Sequence, residues 1–269
     1  MRLVFVKTKW EMWHEPLGAF LERTIADGFD ATEIYLATET EPAAMIRRRH
    51  EEAGLSLVGQ ILTSGATPNE HSRSLEAQFG FALECGAARI NLHAGREIFP
   101  FEANLAIFKH VIRLGVEHGV PVSVETHRGR PTFAATETVR YLDALPDLRL
   151  TADFSHWMVV HESLLEDQEE VLATAIGRSD HIHARVGHAE GPQLVDPFSP
   201  EAEPVLARHV ALWRRIVEAR RAGGAEILTV APEAGPPPYM PLDPSTGEPL
   251  ADAWSVNVAM RDYLREALA

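Results

Sequence analysis

Cysteine is almost missing from this sequence. Cys85 stands alone among 269 residues, so no intrachain disulfide can form. Its surroundings, "FGFALECGAARI", have helical spacing, which predicts a buried, inert thiol and suits a reducing compartment. Long apolar runs are missing too. Nowhere do 18 apolar residues follow one another, and the four-residue run in "MRLVFVKTKW" gives way to Lys7 and Lys9, too short for a signal-peptide core. A cytoplasmic protein without a membrane partner is expected. Basic charge is in deficit: 25 Lys plus Arg face 39 Asp plus Glu, a formal charge of −14 that repels phosphate polymers. Nucleic acid is therefore not an expected partner. Tandem repeats and low-complexity tracts are absent apart from a Pro-rich stretch at 233–250.

What is present is an ordinary globular composition, 45% hydrophobic and 24% charged, on a chain long enough to bury a sizeable core. Eight short runs rich in Val, Ile and Leu read as strands: "LVFV" at Leu3, "TEIYL" at Thr32, "LSLVGQIL" at Leu55, "RINLH" at Arg89, "VPVSVE" at Val120, "LRLTAD" at Leu148, "HIHARV" at His181 and "EILTVAPE" at Glu226. Amphipathic stretches separate them. In "FEANLAIFKHVIRLGVEHG", Leu105, Phe108, Ile112 and Val116 recur every three or four residues, predicting a helix that buries this face. Glycines in "EAGL", "ECGA", "EHGV" and "RAGGAE" mark helix ends just before the next strand.

Eight strand-then-helix units leave no residues for a second domain. The prediction is an α/β fold, one closed parallel (β/α)8 TIM barrel over residues 1–269, since such barrels typically take about 250 residues. An open doubly wound sheet would need a Gly-rich phosphate loop after the first strand, and "KTKWEMWHEP" is not one. The segment "EAGPPPYMPLDPSTGEPL" is too Pro-rich for regular structure and is expected to fold across the barrel mouth.

Barrel chemistry sits at the C-terminal ends of strands, so the residues found there carry the functional reading. The fourth strand ends at His93, the fifth at Glu125, the sixth at Asp153 with His156, the seventh at His181 and His183, and the eighth at Glu233. Strands one to three offer Lys7, Lys9, Trp10 and Gln60 but no clear carboxylate or imidazole, Glu33 and Glu39 being doubtful. Three carboxylates and one imidazole converging from successive strands form a site for a hard divalent cation, with Glu125, Asp153, His183 and Glu233 as expected ligands. His183 is preferred to His181 because both face one way and His183 is nearer the strand's end.

Each residue also has a plainer role open to it. A lone Glu after a strand is ordinarily a helix cap or a solvated loop residue. What favours a site is the set of four, because carboxylates buried together need a cation to offset their repulsion. His156 could equally cap the following helix, and His93 and His127 could equally be structural. His71, His110, His118 and His209 lie in helical stretches and are expected at the surface, while Trp and Phe positions are expected in the core.

"VSVETHRG", "ADFSHW", "HIHARV" and "PEAGP", in this order and spacing, resemble the xylose isomerase-like TIM-barrel superfamily, the sugar phosphate isomerases and epimerases with their AP endonuclease relatives. The likeness extends over essentially the whole chain. It implies one divalent metal, manganese ahead of magnesium, cobalt or zinc, held by Glu125, Asp153, His183 and Glu233. It also implies that Glu125 and Glu233 move protons and that His156 touches a sugar or keto-sugar substrate. Arg185, His93 and Trp10 are further candidates for substrate binding, and a homo-oligomer is compatible with the family. The sequence departs from the epimerase pattern in placing Arg185 where a Glu stands two after the metal-binding His, and Ala189 where an Arg follows. It departs from the AP endonucleases in lacking a His at the third strand, "GQILTSG", and in carrying Phe198 where a zinc-binding His belongs.

The resulting expectation is a metal-dependent isomerase or epimerase working through an enediolate, with Glu125 and Glu233 as acid and base. Behind it stand a lyase or dehydratase, including a cleaver of oxidised glycosides, on the same site, then an AP-endonuclease-like hydrolase, then a noncatalytic sugar-binding barrel.

Overall fold

The computed structural model describes residues 1–269. Its eight strands are all parallel and close into a barrel in sequence order: β1 (Arg2–Thr8), β2 (Ala31–Tyr35), β3 (Ser56–Leu62), β4 (Arg89–His93), β5 (Val122–Glu125), β6 (Leu150–Ala152), β7 (Ser179–Ala184) and β8 (Ile227–Pro232). β8 pairs with β1 from Arg2 opposite Ile227 to Phe5 opposite Val230, which closes the ring and leaves no sheet edge. Nine helices surround it: α1 (Leu17–Ala26), α2 (Ala43–Ala53), α3 (Pro68–Glu84), α4 (Phe101–His118), α5 (Ala135–Ala144), α6 (Phe154–His161), α7 (Glu169–Arg178), α8 (Glu203–Ala222) and α9 (Ala253–Ala267). Every strand expected from the apolar runs is found. No helix is long and apolar enough to cross a membrane.

The punctuation works as the sequence implies. Gly54 and Gly119 close α2 and α4 in the left-handed conformation, at φ 66° and 65°, where a Cβ would be strained. Cys85 caps α3 and is buried, and burial raises its thiol to about 11, so it is inert.

Large side chains fill the layer between strands and helices, with Phe20, Phe79, Phe108, Trp157 and Trp213 buried there. Inside the barrel only a small apolar cluster, Val4, Val6, Ala31, Val58 and Ala231, plugs the lower part. The rest of the interior is polar: β4 alternates Arg89, Asn91 and His93, and Asn91 Nδ2 donates to Glu33 Oε1 at 2.8 Å and to Glu125 Oε2 at 2.9 Å. Buried amides and acids that satisfy one another in this way fix the strands' register from within.

Six surface or core expectations need correction. Val116 is 79% exposed, because α4 is rotated to bury Phe108, Val111 and Leu114 against the barrel. His71 is buried and bonds Thr63 Oγ1 at 2.7 Å, and His110 is mostly covered beside Glu76. His209 is fully buried in α8, its Nε2 3.1 Å from the Gly187 N and 3.0 Å from the Gly187 carbonyl oxygen. Trp13 and Phe198, expected in the core, are exposed.

Burial holds the His209 imidazole down at about 4, against 6.5 for the unfolded group. The unfolded chain therefore binds a proton that the folded chain refuses, and this contribution to stability is lost as pH falls from 6.5 to about 4. The loss expected from this residue is about 3 kcal/mol. Urea midpoints measured across that window should fall less steeply in His209→Gln than in the parent; parallel slopes would contradict the assignment.

Candidate functional site

The expected metal ligands converge. One ligand atom from each of Glu125, Asp153, His183 and Glu233 lies within 4.8 Å of the others, and all four side chains are buried. They come from the C-terminal ends of β5 to β8, where each strand hands over to its loop or helix. His183 Nδ1 stands 2.9 Å from Glu233 Oε2 and 3.4 Å from Glu125 Oε2. Yet neither His183 Nδ1 nor Glu233 Oε2 has a hydrogen-bond partner. Buried polar atoms left without a bond in the middle of a carboxylate cluster fit a shared cation better than they fit one another.

The field within the cluster follows from its composition. Burial alone would raise Glu125, but His93 and His183 hold it well below the usual carboxylate range. Burial alone would lower His183, but Glu233, Glu33 and Glu125 hold it well above the usual imidazole range. Asp153 is pushed up to about 6 by burial, with Arg185 opposing.

Asp153 also begins α6, accepting from the Ser155 N–H at 3.0 Å. The cap is thus Asp153, and His156, one turn into the helix, is released from the capping role that the sequence left open. His156 is fully buried between two guanidinium groups. Arg128 Nε lies 3.0 Å from its Nδ1 and Arg185 Nη2 2.9 Å from its Nε2.

Arg185 is bonded to Asp153 Oδ2, lies 3.6 Å from Glu233 Oε2 and donates from Nε to Ser155 Oγ at 3.1 Å. Its guanidinium faces Tyr239 at 4.7 Å and Trp10 at 5.6 Å. Its charge is matched within the cluster, and it still lines the cavity above. His93 Nε2 lies 2.7 Å from Glu125 Oε2, and its ring begins a row of imidazoles, 4.3 Å from His127, which is 4.0 Å from His156.

The first part of the Pro-rich segment after β8, from Glu233 to Tyr239, reaches the mouth, while residues 244–250 are exposed away from it. Gly235 pairs with the Gln193 side chain, its N–H donating to Oε1 at 2.6 Å and its carbonyl accepting from Nε2 at 3.1 Å. A Cβ on Gly235 would stand 2.4 Å from the Trp10 ring, so only glycine lets Trp10 lie against this loop. Trp10 in turn meets Tyr239 edge-on at 5.0 Å. Beneath them opens a cavity of about 490 Å³, floored by Glu125 and Glu233 and walled by Trp10, Trp13, Tyr35 and Tyr239. That volume is in the range of small-molecule sites.

Two groups were not read from the sequence. Glu33, set aside as doubtful, points into the barrel, where its Oε2 lies 3.0 Å from both His181 Nε2 and His183 Nε2. Burial opposes its charge, but the two histidines hold Glu33 well below the usual range. It therefore orients the His183 ring so that Nδ1 faces Glu125 and Glu233. The signal was there in the period-two placing of Glu33 on β2 between Ala31 and Tyr35. The other group is the pair Arg128 and Arg130 in "THRGR", which had no partner in the sequence to give it meaning.

No curated protein sequence matches the chain. Among solved structures, a D-allulose 3-epimerase from Methylomonas sp. in complex with D-allulose superposes with a TM-score of 0.64 at 14% identity, over 99% of this chain and 97% of that one. A probable 3-DHS dehydratase from Bacillus anthracis gives 0.64 at 14%, over 97% and 98%. Endonuclease IV from Thermus thermophilus gives 0.59 at 17%, over 99% and 100%. At such identities these likenesses establish the barrel and no more. Residues 21–193, well over half the chain, match the family described as the xylose isomerase-like TIM barrel, and the chain belongs to that family.

Proposed function

We propose that this protein is a divalent-metal-dependent isomerase or epimerase of a small hydroxy-ketone or sugar, built as one barrel domain. The observation that carries the reading is the buried cluster of Glu125, Asp153, His183 and Glu233, with His183 Nδ1 and Glu233 Oε2 unsatisfied inside it. These four residues would hold the ion, and Mn²⁺ suits their three oxygens and one nitrogen. When bound, the ion supplies Lewis acidity that favours an enediolate-like charge on a substrate carbonyl and its neighbouring hydroxyl.

The protein's own groups then handle the proton. Glu125 and Glu233 come from strands three apart around the ring, so they approach the reacting carbon from different sides. One takes the proton and the other returns it, which inverts or relocates the stereocentre. His93, 2.7 Å from Glu125, steadies that carboxylate. Arg185 offers donors to a substrate oxygen, and the Trp10 and Tyr239 faces cover the substrate and exclude water. His156, expected to touch substrate, has both ring nitrogens against Arg128 and Arg185 and lies behind the cavity wall, where it positions those two guanidinium groups instead.

Two other readings share the cavity. Elimination would use the same carbanionic charge to expel a leaving group, and the dehydratase among the structural neighbours keeps it open. Hydrolysis of abasic DNA has an endonuclease IV likeness behind it, but β3 runs out at Leu62 and Thr63 without a histidine and Phe198 is a surface side chain.

Elemental mass spectrometry of the purified protein, without added metal, should find about one Mn, Mg, Co or Zn per chain. The metal should be lost from both Asp153→Ala and His183→Ala. Two or three zinc ions would put hydrolysis first, and a protein that holds no metal even after addition of divalent ions would refute the proposal.

Proton exchange at the carbon beside the carbonyl, followed by NMR in D₂O on a panel of ketoses and oxo-glycosides, tests the chemistry. Glu233→Gln should slow exchange by at least about 100-fold while the thermal midpoint stays within a few degrees. Near-parental exchange in that variant would rule out a two-glutamate mechanism, and a change of product mass would identify elimination.

A further inference from the structure

The charges around the cavity balance except on one side. Lys9 is paired with Glu39 at 2.6 Å, and Arg185 with Asp153. The three cluster carboxylates, a divalent ion and Arg185 together sum to zero, and Glu33 lies between His181 and His183. On the wall formed by the loops after β3, β4 and β5 the count fails. Arg96, Arg128 and Arg130 have no carboxylate within 4.0 Å in a chain of formal charge −14.

Arg130 lines the cavity beside His93, Glu125 and His127. It is anchored by one nitrogen only: Nη1 donates to the carbonyl oxygens of Gly95 at 3.0 Å and Thr63 at 3.2 Å. That grip fixes the plane of the guanidinium while its Nε and Nη2 make no hydrogen bond within the protein. Burial works against its charge, and although Glu125 and Glu97 favour it from a distance, with Arg96 opposing, the balance still lowers it.

Arg128 is short of an acceptor as well. A neutral imidazole accepts at one ring nitrogen only, yet His156 has a guanidinium against each. Arg185 has Asp153 besides, so Arg128 is the one left with the Tyr239 hydroxyl at 3.2 Å as its remaining polar contact. A fixed, partly desolvated fork on the cavity wall, with a second guanidinium lacking a carboxylate two residues away on the same loop, is an arrangement that planar anions select.

We propose that the substrate carries a carboxylate, which docks on the Arg130 fork while Arg128 adds positive charge from the same loop behind the cavity wall, so that this barrel acts on a sugar acid or keto acid rather than a neutral sugar. The assignment rests on the catalytic reading above and narrows its substrate class. A phosphate is the poorer fit. In barrels phosphate commonly sits in the loops after the seventh and eighth strands, and here that place is filled by the Gln193 and Gly235 pairing.

The test uses the Mn²⁺-loaded protein and compounds that differ at one carbon. 2-Keto-D-gluconate and D-fructose share a skeleton and differ in a carboxylate against a hydroxymethyl group, as D-galacturonate and D-galactose do; D-fructose 6-phosphate represents the phosphate class. By isothermal titration at low salt, at least one acid should bind roughly 10- to 100-fold tighter than its neutral partner. Arg130→Gln should reduce that advantage to less than about 3-fold, and Arg130→Lys, which keeps the charge but not the fork, should fall between. Arg128→Gln provides a second reading should the Arg130 variants fail to fold.

Equal binding of acid and neutral partner, no binding by either acid, tighter binding of the phosphate ester, or an acid preference untouched in the variants would each overturn the proposal. Metal content, measured on the same samples, separates this failure from that of the catalytic reading. One ion per chain without acid preference leaves the metal centre standing, and an Arg130-dependent acid preference in a protein that takes up no metal leaves the anion subsite standing without it.

Discussion

Everything in this barrel answers to one constraint: four acidic side chains, Glu33, Glu125, Asp153 and Glu233, are buried within a few ångströms of His183. Water cannot screen them there, so the chain must supply the opposite charge or leave room for something that does. It does both. Glu33 is answered by His181 and His183, Asp153 by Arg185, and Glu125 by His93 and Asn91. Glu233 is answered by none of these at hydrogen-bonding geometry, and its free oxygen lies beside the free nitrogen of His183. The remaining imbalance sits where a divalent ion would be coordinated.

The rest of the architecture serves to hold those groups in place. The closed ring fixes the strand ends. Thr126 Oγ1 ties β5 to the β6 end, accepting from the Asp153 N–H and donating to the Asp153 carbonyl, both at 2.8 Å. On the far side, Asn257 of α9 clamps the residue after Glu233, accepting from the Ala234 N–H at 2.6 Å. Asn257 reaches Glu11 as well, which pairs with the buried Lys7, so the outer helix, β1 and the Glu233 loop form one polar brace. A site built on strand ends and braced from behind meets the demand for groups held ready before the ligand arrives.

Much of this was legible in the sequence, for physical reasons that can be named. Strands buried on both faces must be short apolar runs, so all eight were visible, and a polar residue closing such a run stands out, which exposed Glu125, Asp153, His183 and Glu233. Glu33 was less legible because it lies in the middle of β2 rather than at its end, and its partners are about 150 positions away on β7. His71 and His209 were misplaced because a helical histidine has no marker for which face it takes, and in α8 the barrel side happens to offer the Gly187 backbone. Val116 fits the three-and-four spacing of α4 and is exposed, since the face that α4 turns to the barrel runs through Phe108, Val111, Leu114 and Gly115 instead. The unmatched charge of Arg128 and Arg130 could not be seen at all, because a missing partner is a property of space and not of order along the chain.

The close approach of Gly235 to the Trp10 ring has a consequence in descent. With the indole edge where a Cβ would be, any relative that gains a side chain at 235 must give up the aromatic ring at 10, and one that loses the ring frees 235 to vary. Positions at opposite ends of the chain are therefore constrained as a pair, and a change from one state to the other meets no clash only when the ring goes before the glycine.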